Sequence, residues 1–235
     1  MAGGGRTLGW WAGRALLVVV ALFLLLQVWF AAMIAWYRFE PPRQTAFMSE
    51  RLAELQRKNP RAKIDYRFVP YARISANLKR AAIAAEDARF LEHDGFDWEG
   101  IERAMRKNER RGRIVAGGST ITQQLAKNLF LSPSKSYLRK GEEAIIAVML
   151  ELILDKRRIL ELYLNVIEWG NGVFGAEAAA RHYFGVSAAQ LSASQAARLA
   201  AMAPSPRRFE RNPHSAYLTG RTTTILARMP GTATP

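Results

Sequence analysis

A chain of 235 residues that is 49% hydrophobic can bury a core of ordinary domain size, which excludes intrinsic disorder and leaves room for one domain plus a short extra element. The absence of cysteine excludes disulfides, thiolate metal sites and a cysteine nucleophile. A net charge of +14, carried mostly beyond Arg43, favours a polyanionic partner: nucleic acid, an anionic bilayer surface or a phosphate-bearing substrate.

No charged residue occurs from Ala15 to Tyr37, and the strongly polar side chain in that run is Gln27. As a helix the segment would span about 34 Å, enough to cross a hydrocarbon core of about 30 Å. Trp10 and Trp11 precede it, and Trp29, Trp36 and Tyr37 close it, as aromatic belts do at the two membrane interfaces. A cleaved signal peptide is the rival, but no small-x-small site stands near Phe30–Ala35. The expectation is a short N-terminus (1–14) and one uncleaved transmembrane helix (15–37). Arg6 and Arg14 before the helix nearly balance Arg38 and Arg43 after it, so counting positive charges does not orient it.

Pro41 and Pro42 end the anchor. A linker and membrane-proximal segment (38–74) follows, with a short amphipathic helix over Phe47–Arg57 and a basic extended stretch after it. From Ser75 to Met202 apolar residues recur at three- and four-residue spacing among Ala, Leu, Glu, Arg and Lys, which predicts a mainly α domain over 75–213. Breaks fall at His93–Gly95, Arg111–Gly118, Pro133, Asn165–Gly175 and Pro204–Pro206. The Ala- and Thr-rich tail (214–235) is expected to fray. The candidate chemistry all lies beyond Ala81, so the domain is expected to fold without residues 1–40.

Three clusters carry that chemistry. In the first, Glu86 to Asp97, a helix starting near Ser75 would place Ile83, Glu86 and Phe90 on one face. Glu86 would then sit among apolar neighbours, which raises a carboxylate's proton affinity and suits a general base. The same residues also read as a surface helix with Glu86 and Asp87 paired to Arg80 or Arg89. The second, Gly117 to Asn128, is a helix start with a capping box between Thr120 and Gln123. Its N-terminus would offer backbone N–H groups to an anion, and Gln124 and Lys127, one turn apart, would extend that site. A nucleotide-binding phosphate loop over Gly112–Ser119 is rejected, because Gly118 stands where the lysine is needed and no strand precedes it. The basic run Arg103, Arg106, Lys107, Arg110, Arg111 and Arg113 reads as a solvated face. In the third cluster Glu143 lies one turn from both Arg139 and Lys140. Between two cations it should stay ionised, the opposite setting from that of Glu86, and such divergence marks carboxylates with different tasks. Taken alone, it is also an ordinary helix ion pair.

Two further clusters read as scaffold. Lys156 to Asn165 puts Ile159, Leu162 and Tyr163 on a core stripe, and Gly175 to Ala180, followed by Tyr183-Phe184-Gly185, suits close helix packing. Ser132-Pro133-Ser134-Lys135 matches a penicillin-binding Ser-x-x-Lys, but no Lys-Thr-Gly or Ser-Asp-Asn follows. His93, His182 and His214 lack metal-ligand spacing.

In this order and spacing the five clusters resemble the five motifs of the family-51 peptidoglycan glycosyltransferases, found in class A penicillin-binding proteins and in free-standing monofunctional biosynthetic transglycosylases. The resemblance covers roughly Ala81 to Arg208, and the expectation is the monofunctional kind. Departures are minor: Gln195 stands where Glu is usual and Ala203 where Leu is usual.

The resemblance implies a lysozyme-like α-helical fold on the outer face of a bacterial cytoplasmic (inner) membrane, with the N-terminus inside. It implies polymerisation of lipid II into β-1,4-linked glycan, the growing lipid-linked strand being the donor and the 4-hydroxyl of a new lipid II the acceptor. Glu86 matches the base, and Lys127, Arg139 and Lys140 match groups that neutralise the departing pyrophosphate, which needs no general acid. Glu143 is carried over as the second essential carboxylate, orienting those cations or holding a divalent ion (Mg or Mn); no organic cofactor is implied. Ser119, Thr120 and Gln124 are carried over as substrate contacts, with Asp87, Phe90 and His93 supporting Glu86. Membrane lipids and cell-wall synthesis or division proteins are the partners implied. A lysozyme-like lytic enzyme is the alternative, though it leaves the cation cluster unexplained. A nucleic-acid binder is disfavoured, since the basic residues interleave with carboxylates and not with aromatic stacking platforms.

Overall fold

A computed structural model describes residues 4–113, 117–132 and 136–235, with side chains from Trp10 onward. Parts of two sequence matches, the glycine-rich stretch over 112–119 and Ser-x-x-Lys over 132–135, therefore lie outside the described residues. The elements in chain order are α1 (Gly4–Tyr37), α2 (Ala46–Lys58), β1 (Asp65–Tyr66), α3 (Ala76–Glu86), α4 (Trp98–Arg111), α5 (Ile121–Phe130), α6 (Tyr137–Ile153), α7 (Lys156–Val166), β2 (Glu168–Gly170), β3 (Val173–Phe174), α8 (Ala176–Phe184), α9 (Ala193–Met202), α10 (Pro206–Arg211) and α11 (Ala216–Arg228). The fold is mainly α, as the apolar spacing predicts. The break expected at Asn165–Gly175 holds β2 and β3, and β1 from the membrane-proximal segment joins them in a small sheet of order β1-β3-β2. There Gly175 has φ +83, and a Cβ on it would stand 2.5 Å from the carbonyl oxygen of Asn165. Only glycine tolerates both conditions.

Side-chain caps fix where the helices begin. Thr45, Ser75, Asp97, Thr120, Ser136 and Asp155 each accept a backbone N–H from the first turn of the helix that follows, satisfying donors that have no partner inside the helix. α5 is the buried centre, in contact with α6, α7 and α2, while α3 packs on α9 and α11. Ile159, Leu162 and Tyr163 are buried as the stripe predicts, and Ala176, Ala178, Ala179 and Ala180 are buried in α8. The basic run lies on α4, where Arg103 pairs with Glu99 and Arg106 with Glu102, and Ala104 is the helix's buried residue. It is the solvated face expected.

The structure qualifies one expectation and overturns another. The first concerns the anchor. α1 is long and apolar enough to cross a membrane, but its C-terminal third packs on the domain. Phe30, Ile34 and Tyr37 belong to the core cluster, Phe130 of α5 meets the Phe30 ring at 5.1 Å, and Arg158 Nε donates to the carbonyl of Tyr37 at 2.7 Å. The second concerns the tail. It does not fray: α11 is capped by Ser215 and buries Leu218 and Ile225, with Met229 buried just beyond it. Thr222, Thr223 and Thr224 return their hydroxyls to the carbonyls of Leu218, Thr219 and Gly220. The hydroxyls are satisfied within the helix, and it is the packing of Leu218, Ile225 and Met229 into the core cluster that holds the segment.

Candidate active site

Glu86 is the last residue of α3, with Asp87 as the C-cap. The helix ends there, so Phe90 does not share a helical face with Glu86 as the spacing suggests; it is buried separately in the turn that follows. Nor is the setting of Glu86 apolar. Its Oε2 accepts from Gln124 Nε2 at 2.9 Å, and its Oε1 accepts from Arg221 Nη2 on α11 at 3.1 Å. Gln124 is itself held, its Oε1 accepting from the Tyr163 hydroxyl of α7 at 3.2 Å. Neither Arg80 nor Arg89 pairs with Glu86; Arg89 turns instead to Glu92, Asp97 and Glu99.

Asp87 is buried and does structural work. One oxygen meets His93 Nε2 at 2.9 Å, and the other accepts from the backbone N–H of Ile121 at 3.0 Å. The sequence predicts that the start of α5 presents its N–H groups to a substrate anion, but Asp87 and the Thr120–Gln123 capping box already occupy donors there. A carboxylate at a helix N-terminus is favourable on its own account. Thr120 is buried, with its hydroxyl donated to the carbonyl of Gly95 at 2.7 Å. The Phe90 ring lies under Lys156 Nζ at 4.7 Å. Asp87, Phe90, His93 and Thr120 therefore form the floor beneath the site.

The third cluster assembles on one turn of α6. Glu143 is 3% exposed, with Arg139 Nη1 on one oxygen at 2.6 Å and Lys140 Nζ on the other. Lys140 Nζ also donates to Ser119 Oγ at 3.1 Å, drawing the exposed Ser119 to the cations. Lys127, half-buried on α5, has no carboxylate within ion-pairing distance among the described residues. Burial lowers its pKa below that of an ordinary lysine, Arg139 and Lys140 add to this, and the charges of Glu143 and Glu86 oppose it. A cation without a dedicated partner, between two carboxylates, is available to an incoming anion. A cleft of about 710 Å³ leads away from Gln124, Lys127 and Tyr163 towards Phe47, Arg207 and Arg211. It is large enough for a sugar-sized ligand.

The donor set does not fit a metal held by protein alone. A divalent ion at Glu143 would have to displace Arg139 and Lys140, and among the described residues no three His, Asp or Glu side chains are arranged to hold a metal ion. Sequence reasoning missed Arg221 and the polar use of Tyr163. For Arg221 a signal existed: Leu218 and Ile225 are spaced i, i+7, the mark of a packed helix.

The transglycosylase family pattern matches residues 51–230. The biosynthetic peptidoglycan transglycosylase of Dechloromonas aromatica is 58% identical over 230 residues, covering 98% of this chain and 100% of that protein. That of an Azoarcus species is 60% identical over 207 residues, 88% of this chain and 90% of its own. That of Aromatoleum aromaticum is 62% identical over 200 residues, 85% and 87%. With the family pattern matching residues 51–230 and these relatives about 60% identical over most of the chain, the chain belongs to the transglycosylase family.

Proposed function

We propose that this enzyme is a peptidoglycan glycosyltransferase that joins lipid II into β-1,4-linked glycan strands with inversion, releasing undecaprenyl pyrophosphate. α1 anchors it in the bacterial cytoplasmic membrane with the N-terminus inside, and the domain works on the outer face. The observation that carries this reading is the contrast between the two carboxylates. Glu143 is locked between Arg139 and Lys140, whereas Glu86 is steadied by one amide and one guanidinium and keeps 11% of its side chain exposed.

The residues divide the reaction between them. Glu86 takes the proton of the acceptor 4-hydroxyl as its oxygen attacks the anomeric carbon of the growing strand, and the bond to pyrophosphate breaks on the opposite face. Pyrophosphate leaves as a multiply charged anion, and Lys127, Arg139 and Lys140 stabilise the charge that builds on it. Glu143 holds Arg139 and Lys140 in place for that task. No step runs through a metal. The name shared by the relatives, biosynthetic peptidoglycan transglycosylase, supports synthesis over lysis.

The test is incubation of the detergent-solubilised full chain with labelled lipid II. Polymer should form, and purified glycan strands should stay intact. Absence of polymer together with cleavage of the strands would replace this reading with a lytic one.

A further inference from the structure

We propose that Arg221 is the positioning residue of Glu86, which makes α11 part of the catalytic machinery; the inference rests on Glu86 being the base. A base at the very end of a helix is poorly aimed by its backbone, because the last turn lacks the hydrogen bonds that hold the helix interior. Here α3 stops at Glu86, and Asp87 already has a non-helical φ of −159. Something outside the helix must set the direction of the carboxylate.

Two donors do so. Gln124, braced by Tyr163, fixes Oε2, and Arg221 Nη2 fixes Oε1 while also reaching the Ala85 carbonyl at 3.4 Å. Holding both oxygens fixes the plane of the group, yet each oxygen keeps a lone pair for the incoming proton. A cation at the C-terminus of α3 is favourable in itself. Arg221 cannot drift, since Leu218 and Ile225, three residues before it and four after, are buried on the same face of α11. Arg221 is also the one ion-pair partner of Glu86 among the described residues.

The experiment compares the full chain with Arg221→Met, Arg221→Lys and Arg221→Ala, each polymerising lipid II in detergent, with Glu86→Gln alongside. For Arg221→Met, kcat should fall on the order of 100-fold, as misplacement of a reacting group by about 1 Å does. KM for lipid II should stay within about threefold, because the lost contact acts on the transition state and not on binding. Arg221→Lys should recover part of the rate, and methylguanidinium added to Arg221→Ala should recover part as well. A normal kcat in Arg221→Met overturns the proposal. So does a loss that tracks a lowered unfolding temperature and that neither lysine nor methylguanidinium repairs, since that is the signature of a packing role. If Glu86→Gln itself stays active, the assignment of the base fails, and the role of Arg221 fails with it.

Discussion

Gln27, inside the apolar helix, donates its side-chain amide to Glu142 of α6 at 2.7 Å, one residue before the buried Glu143. Anchor and catalytic helix are therefore joined by a polar contact as well as by Phe30 and Ile34. Burying each of those two side chains is worth about 2 kcal/mol. Deleting residues 1–40 should lower the unfolding temperature and promote aggregation, whereas deleting only residues 1–24 should leave stability close to that of the full chain. Thermal unfolding in detergent checks this. Equal stability of the two truncations would return the anchor to the status of a detachable tether.

Lys127 sets an expectation for alkaline pH. Burial holds its pKa below that of an ordinary lysine, so it loses its proton at a lower pH than a surface lysine does. Affinity for an anionic leaving group should therefore decline early on the alkaline side. Lys127→Arg keeps the charge to higher pH and should extend the alkaline limb of the rate profile, even where its activity at neutral pH is reduced. Identical limbs in the two enzymes would remove Lys127 from that role.

Arg139 pairs with Glu143 at 2.6 Å, and both side chains are largely buried. Arg139→Ala should cost stability, up to about 3 kcal/mol given that Lys140 still partners the carboxylate, and should cut polymerisation severely. Arg139→Lys should restore most of the stability and only part of the turnover, because lysine cannot present a planar fork to phosphate oxygens. Full activity in Arg139→Lys would show that charge alone matters at this position.

A phosphoglycolipid combining sugar, phosphate and a long lipid should compete with the donor at Lys127, Arg139 and Lys140. A β-lactam should have no effect, because the sequence lacks the companion motifs of an acylating serine. Polymerisation that ignores the phosphoglycolipid, or covalent labelling of Ser132 by a β-lactam, would overturn the assignment of the site.

What the sequence reveals follows the distance over which each interaction acts. Glu143 with Arg139 and Lys140, and Thr120 with Gln123, are neighbours on one helical turn, so spacing alone predicts them. The environment of Glu86 is not local. Its partners lie 38 and 135 residues away along the chain, and periodicity on α3 offers only an apolar face in their place. Asp87 shows the same limit. Next to a candidate base it reads as a helper in catalysis, but the fold spends it on closing the start of α5. The tail shows it again: its composition reads as a fraying end because threonine is a weak helix former, whereas α11 rests on Leu218 and Ile225, which pack into the core against residues far off in sequence.

The Asp87–Ile121 contact has a geometric corollary. It ties the end of the helix bearing Glu86 to the start of the helix bearing Gln124 and Lys127. The Glu86 carboxylate and the Lys127 ammonium are thereby referenced to one rigid rod, and their separation is graduated by its pitch. Inserting a single residue between Gln124 and Lys127 would swing the lysine by about 100° around the axis of α5. The carboxylate would stay where it is, and the cation would face another quarter of the molecule.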